Sequence, residues 1–279
     1  MITKKGEEYS SPFLHTIKYH DIGGIKMFLV FNKEKIQTYI VSILTVAVLV
    51  AIANIGALKT IETSANSKLL PIYNVRTEEK KIAFTMNCAW TADDIDSILE
   101  TLKNNDVHIT FFMVGEWVDK YPEAVKKIYD AGHEIGSHSN THPHVNSLSA
   151  EKNLEEIQLS VSKIEKITGQ KTNLYRAPYG EYNDTVISTA QENGYYTIQW
   201  NLDTLDYKDL TGEEMWNRIK NKLEAGSIIL SHNGTKHTAD SLDMLTKNIK
   251  SSGYEVTTIS NLIYKENYSI NNNGTQIEN

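Results

Sequence analysis

The sequence predicts a barrel-like α/β fold preceded by a single transmembrane helix. Between residues 80 and 265, short apolar runs alternate with amphipathic stretches, which is typical of parallel strands covered by helices. Upstream of them, residues 39–58 form an uncharged, largely apolar run of 20 residues. The pattern alone leaves a closed barrel and an open doubly wound sheet as alternatives.

Composition and charge restrict the function classes. The chain has 279 residues, of which 40% are hydrophobic, and a net charge of −7. Residues 1–58 carry +2 and the remainder −9, so we expect the two parts to lie in different surroundings. The net negative charge argues against a nucleic-acid-binding protein. The single cysteine, Cys88, excludes an internal disulfide framework and any zinc site made only of cysteines.

The uncharged run predicts a membrane anchor. Twenty residues at about 1.5 Å each reach about 30 Å, the thickness of the hydrocarbon core of a bilayer. We expect residues 1–38 to be a cytoplasmic tail, with translation starting at Met27, in a single-pass protein of the cell membrane whose larger part lies outside the cytoplasm. A cleaved signal peptide is the alternative, because Ala51-Ile52-Ala53 resembles a cleavage site.

Three segments follow the anchor. The polar stretch 59–79 is interpreted as a linker, and residues 80–265 as one folded domain. Residues 266–279 contain NNNG and few apolar side chains, which predicts a disordered tail.

Apolar runs and their caps predict the elements of the domain in order. The predicted strands are 81–86, 108–114, 133–138, 174–178, 195–202, 227–232 and 254–259. The predicted helices are 93–104, 120–131, 149–169, 184–193, 211–226 and 238–251. The first helix is predicted to place Ile95, Ile98, Leu99 and Leu102 on one face. Thr211 begins a capping box, and Gly226 is expected to close that helix.

Polar clusters follow the predicted strands where they end. The clusters are Asn87–Trp90, His138–His142, Arg176–Gly180, Asp203–Asp206 and His232. Parallel strands bring their carboxyl ends to one face, so we expect the clusters to converge there. His138 and His142 are four residues apart and would share a cation if helical geometry begins between them. No dinucleotide-binding or Walker A motif occurs, so no nucleotide site is expected.

Four ordered motifs resemble those of the polysaccharide deacetylases, the family with the chitooligosaccharide-deacetylase homology domain. They are HSNTH (138–142), RAPYG (176–180), WNLDTLDY (200–207) and LSH (230–232). Within this family the chain most resembles the membrane-anchored sporulation deacetylases of the PdaB type. The resemblance implies a distorted (β/α) barrel, a divalent metal, most commonly Zn²⁺, and hydrolysis of N-acetyl groups from a cell-wall or spore glycan.

The resemblance also implies residue roles. His138 and His142 would be metal ligands, and Arg176 would orient the catalytic base. Asp206 would fix the tautomer of His232, which would protonate the leaving amine.

Substrate contacts are implied in the same way. Tyr179 would offer its backbone N–H to the oxyanion, and Leu230 would line the acetyl pocket. Trp90 is a further candidate, because its ring can stack on a sugar face.

The first motif departs from the family. Where the family usually has Thr-Phe-Asp-Asp-Gly, this chain has Thr85-Met86-Asn87-Cys88-Ala89. Asn87 cannot accept a proton at neutral pH and can only orient a water molecule. As a thiolate, Cys88 would be a zinc ligand and would favour zinc over harder cations. The alternative for Cys88 is a small buried thiol.

The missing carboxylate predicts a slower enzyme or one with a substitute base, since a positioned general base contributes about 10²–10⁴-fold. Asp203 is the preferred substitute, whereas Asp93 and Asp94 are expected to cap the following helix.

Two other functions stay open. The domain could be a catalytically impaired glycan-binding or structural protein on the same scaffold. A glycosidase with Asp203 and Asp206 as paired carboxylates is the third candidate, although it leaves the histidines without a role.

Overall fold

The computed structural model describes residues 18–22, 25–29, 37–51 and 68–279. The chain divides into two units, Met1–Ser67 and Lys68–Asn279.

The first unit contains a hairpin and a helix. Strand β1 (Lys18–Ile22) pairs antiparallel with β2 (Ile25–Leu29), in a region where the sequence shows no clear period. Helix α1 covers residues 37–51. The remaining residues of the predicted tail, and the first part of the predicted linker, 59–67, lie outside the described residues.

The predicted transmembrane helix over 39–58 was wrong. In the part of the chain that the structure describes, no helix combines the length and the apolar character that crossing a bilayer requires. An uncharged run can include polar residues, as Ser42 and Thr45 do here, and the absence of charge does not set the length of a helix. The 15 described residues of α1 reach only about 22 Å, against about 30 Å for the hydrocarbon core. Residues 52–58 of the predicted span lie outside the described residues.

The second unit is built on a parallel sheet of eight strands. Strand β3 (Asn74–Val75) precedes it. The sheet strands are β4 (Lys81–Cys88), β5 (Thr110–Met113), β6 (Glu134–Ser137), β7 (Leu174–Tyr175), β8 (Tyr196–Thr197), β9 (Leu202–Asp203), β10 (Ile228–His232) and β11 (Glu255–Thr257). Their order is β8-β7-β6-β5-β4-β10-β9, with β11 also paired to β4. The register places His232 beside Asn87 and Leu230 beside Asp203.

The connection between β8 and β9 shows why the sheet curls. These strands stand at opposite ends of the strand order. A flat sheet of this order would separate them by about 29 Å, from six spacings of about 4.8 Å. The five Cα–Cα steps from Thr197 to Leu202 span at most about 18 Å. The sheet therefore curls into a half-barrel, and the single strand predicted over 195–202 was wrong because the chain crosses between the two edges there.

Helices connect the strands and bury one face each. They are α2 (Ile95–Asn104), α3 (Gly115–Lys120), α4 (Pro122–Asp130), α5 (Ala150–Thr168), α6 (Asp184–Glu192), α7 (Gly212–Ile219), α8 (Thr238–Ser251) and α9 (Ile259–Leu262). Of the four residues predicted on one face of α2, Ile95, Ile98 and Leu102 are buried, and Leu99 is half-buried against the same core. The cap at Ser149 and the capping box at Thr211 are present. Together with β4, β5 and β10, the apolar faces of α2, α3, α4, α7 and α8 form most of the main core, whereas α6 and α9 pack in two smaller clusters.

The C-terminal segment 266–279 is folded, so the predicted disordered tail was wrong. It forms an antiparallel hairpin of β12 (Tyr268–Ile270) and β13 (Thr275–Glu278), and β13 pairs parallel with β3. The NNNG stretch is the turn of this hairpin. Gly274 has a φ of 78°, and Oδ1 of Asn271 accepts the backbone N–H of Thr275 at 3.0 Å.

The second part of the predicted linker 59–79 belongs to the fold as well. Ile72 and Val75 are each 1% exposed, and the N–H of Val75 donates to the carbonyl of Gly226 at 2.9 Å. A Cβ at Gly226 would lie 1.7 Å from the carbonyl oxygen of Val75. Glycine is therefore needed there for the close approach of β3, and α7 ends well before it.

Candidate active site

The carboxyl ends of the strands surround a cavity of about 530 Å³. The predicted site residues that line it are Asn87, Trp90, His138, His142, Tyr179, Leu230 and His232. Arg176 and Asp206 are fully buried behind this wall. Parallel pairing thus brings the predicted clusters to one face. A larger cavity of about 1160 Å³ lies at the amino ends of β5, β6 and β7 and contains none of the predicted residues.

The two histidines of the HSNTH motif meet through a turn and not through a helix. Ser139 and His142 have φ values of 64° and 57°, so the helical geometry considered for this segment does not occur. The ring centroids of His138 and His142 are nevertheless 4.9 Å apart. Burial is the main cause that lowers the pKa of each, so both imidazoles are neutral at neutral pH.

Glu156 of α5 holds this turn in place. Its Oε2 accepts the backbone N–H groups of Asn140 and Thr141 at 2.9 and 2.8 Å, and its Oε1 accepts the Thr141 hydroxyl at 3.0 Å. Glu156 was not singled out from the sequence. Its signal is a polar stripe along α5, in which the half-buried Glu156 lies between the buried Asn153 and Ser160.

Arg176 is fully buried and bonds only neutral groups. Its Nη1 donates to Thr85 Oγ1 at 2.9 Å and to Asn87 Oδ1 at 3.0 Å. Its Nη2 and Nε donate to the backbone carbonyls of Gln199 and Ile198 at 3.2 and 3.4 Å. Burial lowers the pKa of Arg176 to about 9, which leaves the guanidinium cationic at neutral pH.

Asn87 links Arg176 to His138. The Nδ2 of Asn87 lies 3.3 Å from Nε2 of His138. The Nδ1–H of His138 donates to the backbone carbonyl of Arg176 at 2.8 Å. The lone pair of the imidazole is therefore on Nε2, and it accepts the amide N–H of Asn87.

Cys88 is not brought to the histidines. Successive side chains of a strand point to opposite faces, so Cys88 points away from the cavity that Asn87 lines. It is fully buried in the main core. Burial, and secondly the charge of Asp94, raise the pKa of its thiol well above the ordinary value. The thiol is therefore protonated at neutral pH, as in the alternative of a small buried residue.

His232 is held by Asp206 from two directions. Nδ1 of His232 donates to Oδ1 of Asp206 at 2.8 Å, and its backbone N–H donates to Oδ2 at 2.6 Å. The carboxylate also accepts the backbone N–H of Tyr207 and the hydroxyl of Thr238. This arrangement leaves Nε2 as the nitrogen of His232 that can exchange a proton with a ligand.

Exposed aromatic rings border the histidines. Trp90 is 47% exposed, with its ring centroid 5.3 Å from that of His232, and Tyr207 lies 5.4 Å from the same ring. Tyr179, 59% exposed, stacks on His144 at 4.4 Å. Apolar ring faces beside polar groups are suited to sugar binding. Tyr207 and His144 were not singled out from the sequence.

The aspartates considered as substitute bases differ in position. The side chain of Asp94 does not cap α2, in contrast to the prediction. Its carboxylate accepts hydrogen bonds from Nδ2 of Asn233 at 3.1 Å and from the backbone N–H of Gly234 at 2.7 Å. These two bonds anchor the loop after His232. Asp203 lines the cavity, whereas Asp93 and Asp94 do not.

Asp203 is accessible and Asp206 is not. Burial is the first cause that raises the pKa of Asp203, and its Oδ1 accepts the N–H of Leu205 at 2.8 Å. Asp206 is 0% exposed and its oxygens are occupied by internal donors. The paired-carboxylate glycosidase is therefore not supported, because both carboxyl groups would have to flank a substrate bond.

The residues do not fit the metal ion that the family resemblance implies. Within the described ranges, no group of three or more His, Cys, Asp or Glu side chains is arranged to hold a metal ion. His138 and His142 offer two imidazoles, the outward nitrogen of His138 is bonded to Asn87, and the thiol of Cys88 lies in the core. A zinc site of the usual kind needs three protein ligands with an open position.

Comparison with known proteins identifies the family. The Polysaccharide deacetylase family profile matches residues 74–198. The uncharacterized protein YlxY of Bacillus subtilis is 33% identical over 193 residues, which are 69% of this chain and 60% of YlxY. Peptidoglycan-N-acetylmuramic acid deacetylase PdaC of the same species is 33% identical over 188 residues, which are 67% of this chain and 40% of PdaC. The chain thus matches between two fifths and three fifths of these two relatives.

Solved structures agree with this assignment. The crystal structure of BA3943, described as a CE4 family pseudoenzyme from Bacillus anthracis, matches with a TM-score of 0.66 and 35% identity over 69% of this chain and 68% of that one. A BA3943 mutant is described as having restored enzymatic activity. The structure of PdaC matches with a TM-score of 0.61 and 33% identity over 92% of its resolved chain. The particular closeness to PdaB-type proteins stays a prediction. The chain belongs to the polysaccharide deacetylase family, carbohydrate esterase family 4.

Proposed function

We propose that this protein binds an N-acetylated aminosugar polymer of the cell wall and removes N-acetyl groups from it at a low rate. The observation that carries the proposal is the pairing of His232 with Asp206 at 2.8 Å beside a cavity lined by His138, His142 and exposed aromatic rings. Relatives named as peptidoglycan deacetylases, among them PdaC, support this substrate class.

Amide hydrolysis needs an activated water molecule, stabilisation of the oxyanion and a proton for the leaving amine. His232 supplies this proton from Nε2 when its ring is protonated on both nitrogens, because Asp206 holds the Nδ1–H and stabilises the imidazolium. The backbone N–H of Tyr179 stabilises the oxyanion, and Leu230 contacts the acetyl methyl group.

Activation of the water is the weak step. Asn87 takes the position of the family's base and has no proton-accepting carboxylate. Asp203 is the substitute that lines the cavity. Loss of a positioned base lowers the rate by about 10²–10⁴-fold, which accounts for the low rate proposed. Among the described residues, the donors of this cavity do not form a complete ligand set for a metal ion.

Acetate release from purified peptidoglycan tests the proposal. His232→Ala should lower the rate by about 10²–10⁴-fold, because the general acid is lost. His108→Ala is the matched control, since His108 is exposed and lies at the amino ends of the strands. Absence of acetate release by the parent protein above the level without enzyme would contradict turnover.

A second candidate is a glycan-binding protein without turnover. Asn87 and the buried Cys88 favour it, and BA3943, at 35% identity, is described as a pseudoenzyme. The parent chain should be compared with Asn87→Asp and with Asn87→Asp/Cys88→Asp for both glycan binding and acetate release. A parent that binds without release, and a variant that gains release, would support this second function. Release by the parent excludes it.

We further propose that the domain works outside the cytoplasm, because the proposed polymer is there. Protease accessibility of the domain in intact protoplasts tests this location, and protection from protease would contradict it. The role in sporulation stays a prediction.

A further inference from the structure

Arg176 carries a buried positive charge without an anionic partner. It is 0% exposed, and in residues 68–279 its hydrogen bonds go to a hydroxyl, an amide oxygen and two backbone carbonyls. The rings of Phe112 and Trp200 lie 4.1 and 5.5 Å from its guanidinium carbon. A buried charge without a counter-ion is costly, and these neutral acceptors and ring faces only partly offset the cost.

Asn87 joins this charge to the histidine pair as a neutral bridge. Its carbonyl oxygen accepts from Arg176 at 3.0 Å, and its amide donates to Nε2 of His138 at 3.3 Å. An amide has one donor end and one acceptor end, and here each end has the partner that it needs. A carboxylate at this position could not donate to the imidazole lone pair.

The result is a two-histidine site in which the protein itself already engages both ring nitrogens of His138. Asn87 engages the lone pair of His138 that faces the cavity, and the other end of the same amide accepts from the cationic Arg176. A divalent cation here would have to break the Asn87 bond and lie near an uncompensated guanidinium, and both effects disfavour it.

We infer that Asn87 is the residue that determines the cation affinity of this site: its amide substitutes for a metal ion at His138 and keeps the affinity of the two histidines for Zn²⁺ low. The inference deepens the proposed function and rests on it for the identity of the site. Its test measures metal binding and not acetate release, so the two can fail separately.

Calorimetric titration of the full chain with ZnCl₂, after removal of metal by a chelator, tests the inference. Asn87→Asp adds an anion beside Arg176 and removes the amide N–H, so we expect Zn²⁺ to bind about 10–100-fold more tightly than to the parent, the range by which residues supporting metal ligands change affinity. Asn173→Asp adds the same charge at an exposed position near the amino ends of the strands and should leave Zn²⁺ binding unchanged.

The tighter binding of Zn²⁺ by Asn87→Asp must depend on the histidine pair. The double variant Asn87→Asp/His138→Ala should therefore not bind Zn²⁺ more tightly than the parent, which separates this site from other zinc-binding residues. If Asn87→Asp does not fold, as judged by circular dichroism, Asn87→Ser provides the test, because it frees the lone pair of His138 and should also tighten binding. A parent that binds Zn²⁺ as tightly as the folded variant would overturn the inference.

Discussion

The two oxygens of Asp206 hold His232 at two points, the ring nitrogen Nδ1 at 2.8 Å and the backbone N–H at 2.6 Å. Both the orientation of the ring and the path of the chain at the end of β10 are therefore determined by one buried carboxylate. Such a residue is expected to matter for stability as well as for proton transfer.

Asp206→Asn should lower the free energy of unfolding by about 1–3 kcal/mol, the cost of leaving a buried donor without an acceptor. An amide has a single acceptor oxygen, whereas the carboxylate accepts from His232, Tyr207 and Thr238. Urea denaturation measures the change. Asp209→Asn is the matched control, because Asp209 is exposed and its positive φ of 56° is one that asparagine also adopts. Equal stability of the two variants would contradict the prediction.

Cys88→Ser should destabilise the domain without changing its metal content. Serine places a hydroxyl in the apolar surroundings of Cys88, at a cost of about 1–3 kcal/mol. Urea denaturation measures the stability, and elemental analysis of the purified protein measures the metal content. A loss of bound zinc in Cys88→Ser, with the fold intact, would show that Cys88 is a ligand after all.

Trp90→Ala should weaken glycan binding by about tenfold, which corresponds to about 1.4 kcal/mol. The indole is 47% exposed beside His232 and offers a face for a sugar ring. Affinity for N-acetylated chitooligosaccharides is the measurement. Leu159→Ala is the control, because Leu159 is 43% exposed on α5 and does not line the cavity. A similar loss in both variants would point to a general surface effect.

The domain should lose stability as the pH falls from about 6.5 to about 4, partly through His133. Burial, and secondly the charge of His108, lower the pKa of His133 to about 4. The unfolded chain therefore binds a proton more readily than the folded one, and the stability present above pH 6.5 declines below it by at most about 3 kcal/mol.

Urea denaturation across this pH range, for the parent and for His133→Gln, isolates the contribution of His133. Glutamine keeps an acceptor for the N–H of Ile109, which donates to Nδ1 of His133 at 3.3 Å. The difference in the free energy of unfolding between the parent and His133→Gln should shrink as the pH falls. His237→Gln serves as a control, and its difference from the parent should not follow this trend. A difference that is constant with pH would contradict the assignment.

The strand-end pattern was sufficient to predict most of the candidate site. Parallel pairing brings His138, Tyr179 and His232 to one cavity, as expected from short apolar runs that each end in a polar cluster. The roles assigned to these residues stay predictions. Motif order predicted the family, which the comparisons confirm.

The failures have physical causes. An uncharged run predicted the transmembrane helix, but hydropathy does not determine helix length. Asparagine-rich composition predicted a disordered tail, although the same residues form the turn of the hairpin that joins β12 to β13. Glu156 was missed, and Asp94 was wrongly assigned as a helix cap. Each of the two bonds a loop that is distant in sequence, which a local pattern does not reveal.

What the sequence alone determined is the chemistry that is available: three imidazoles and a carboxylate at strand ends, and an amide and a thiol where the family has two carboxylates. Only the tertiary structure decided how these groups are used. Strand alternation directs Cys88 into the core and Asn87 toward the cavity, and the curl of the sheet brings Arg176 behind Asn87. Those placements depend on contacts between strands far apart in the chain, which no local pattern specifies.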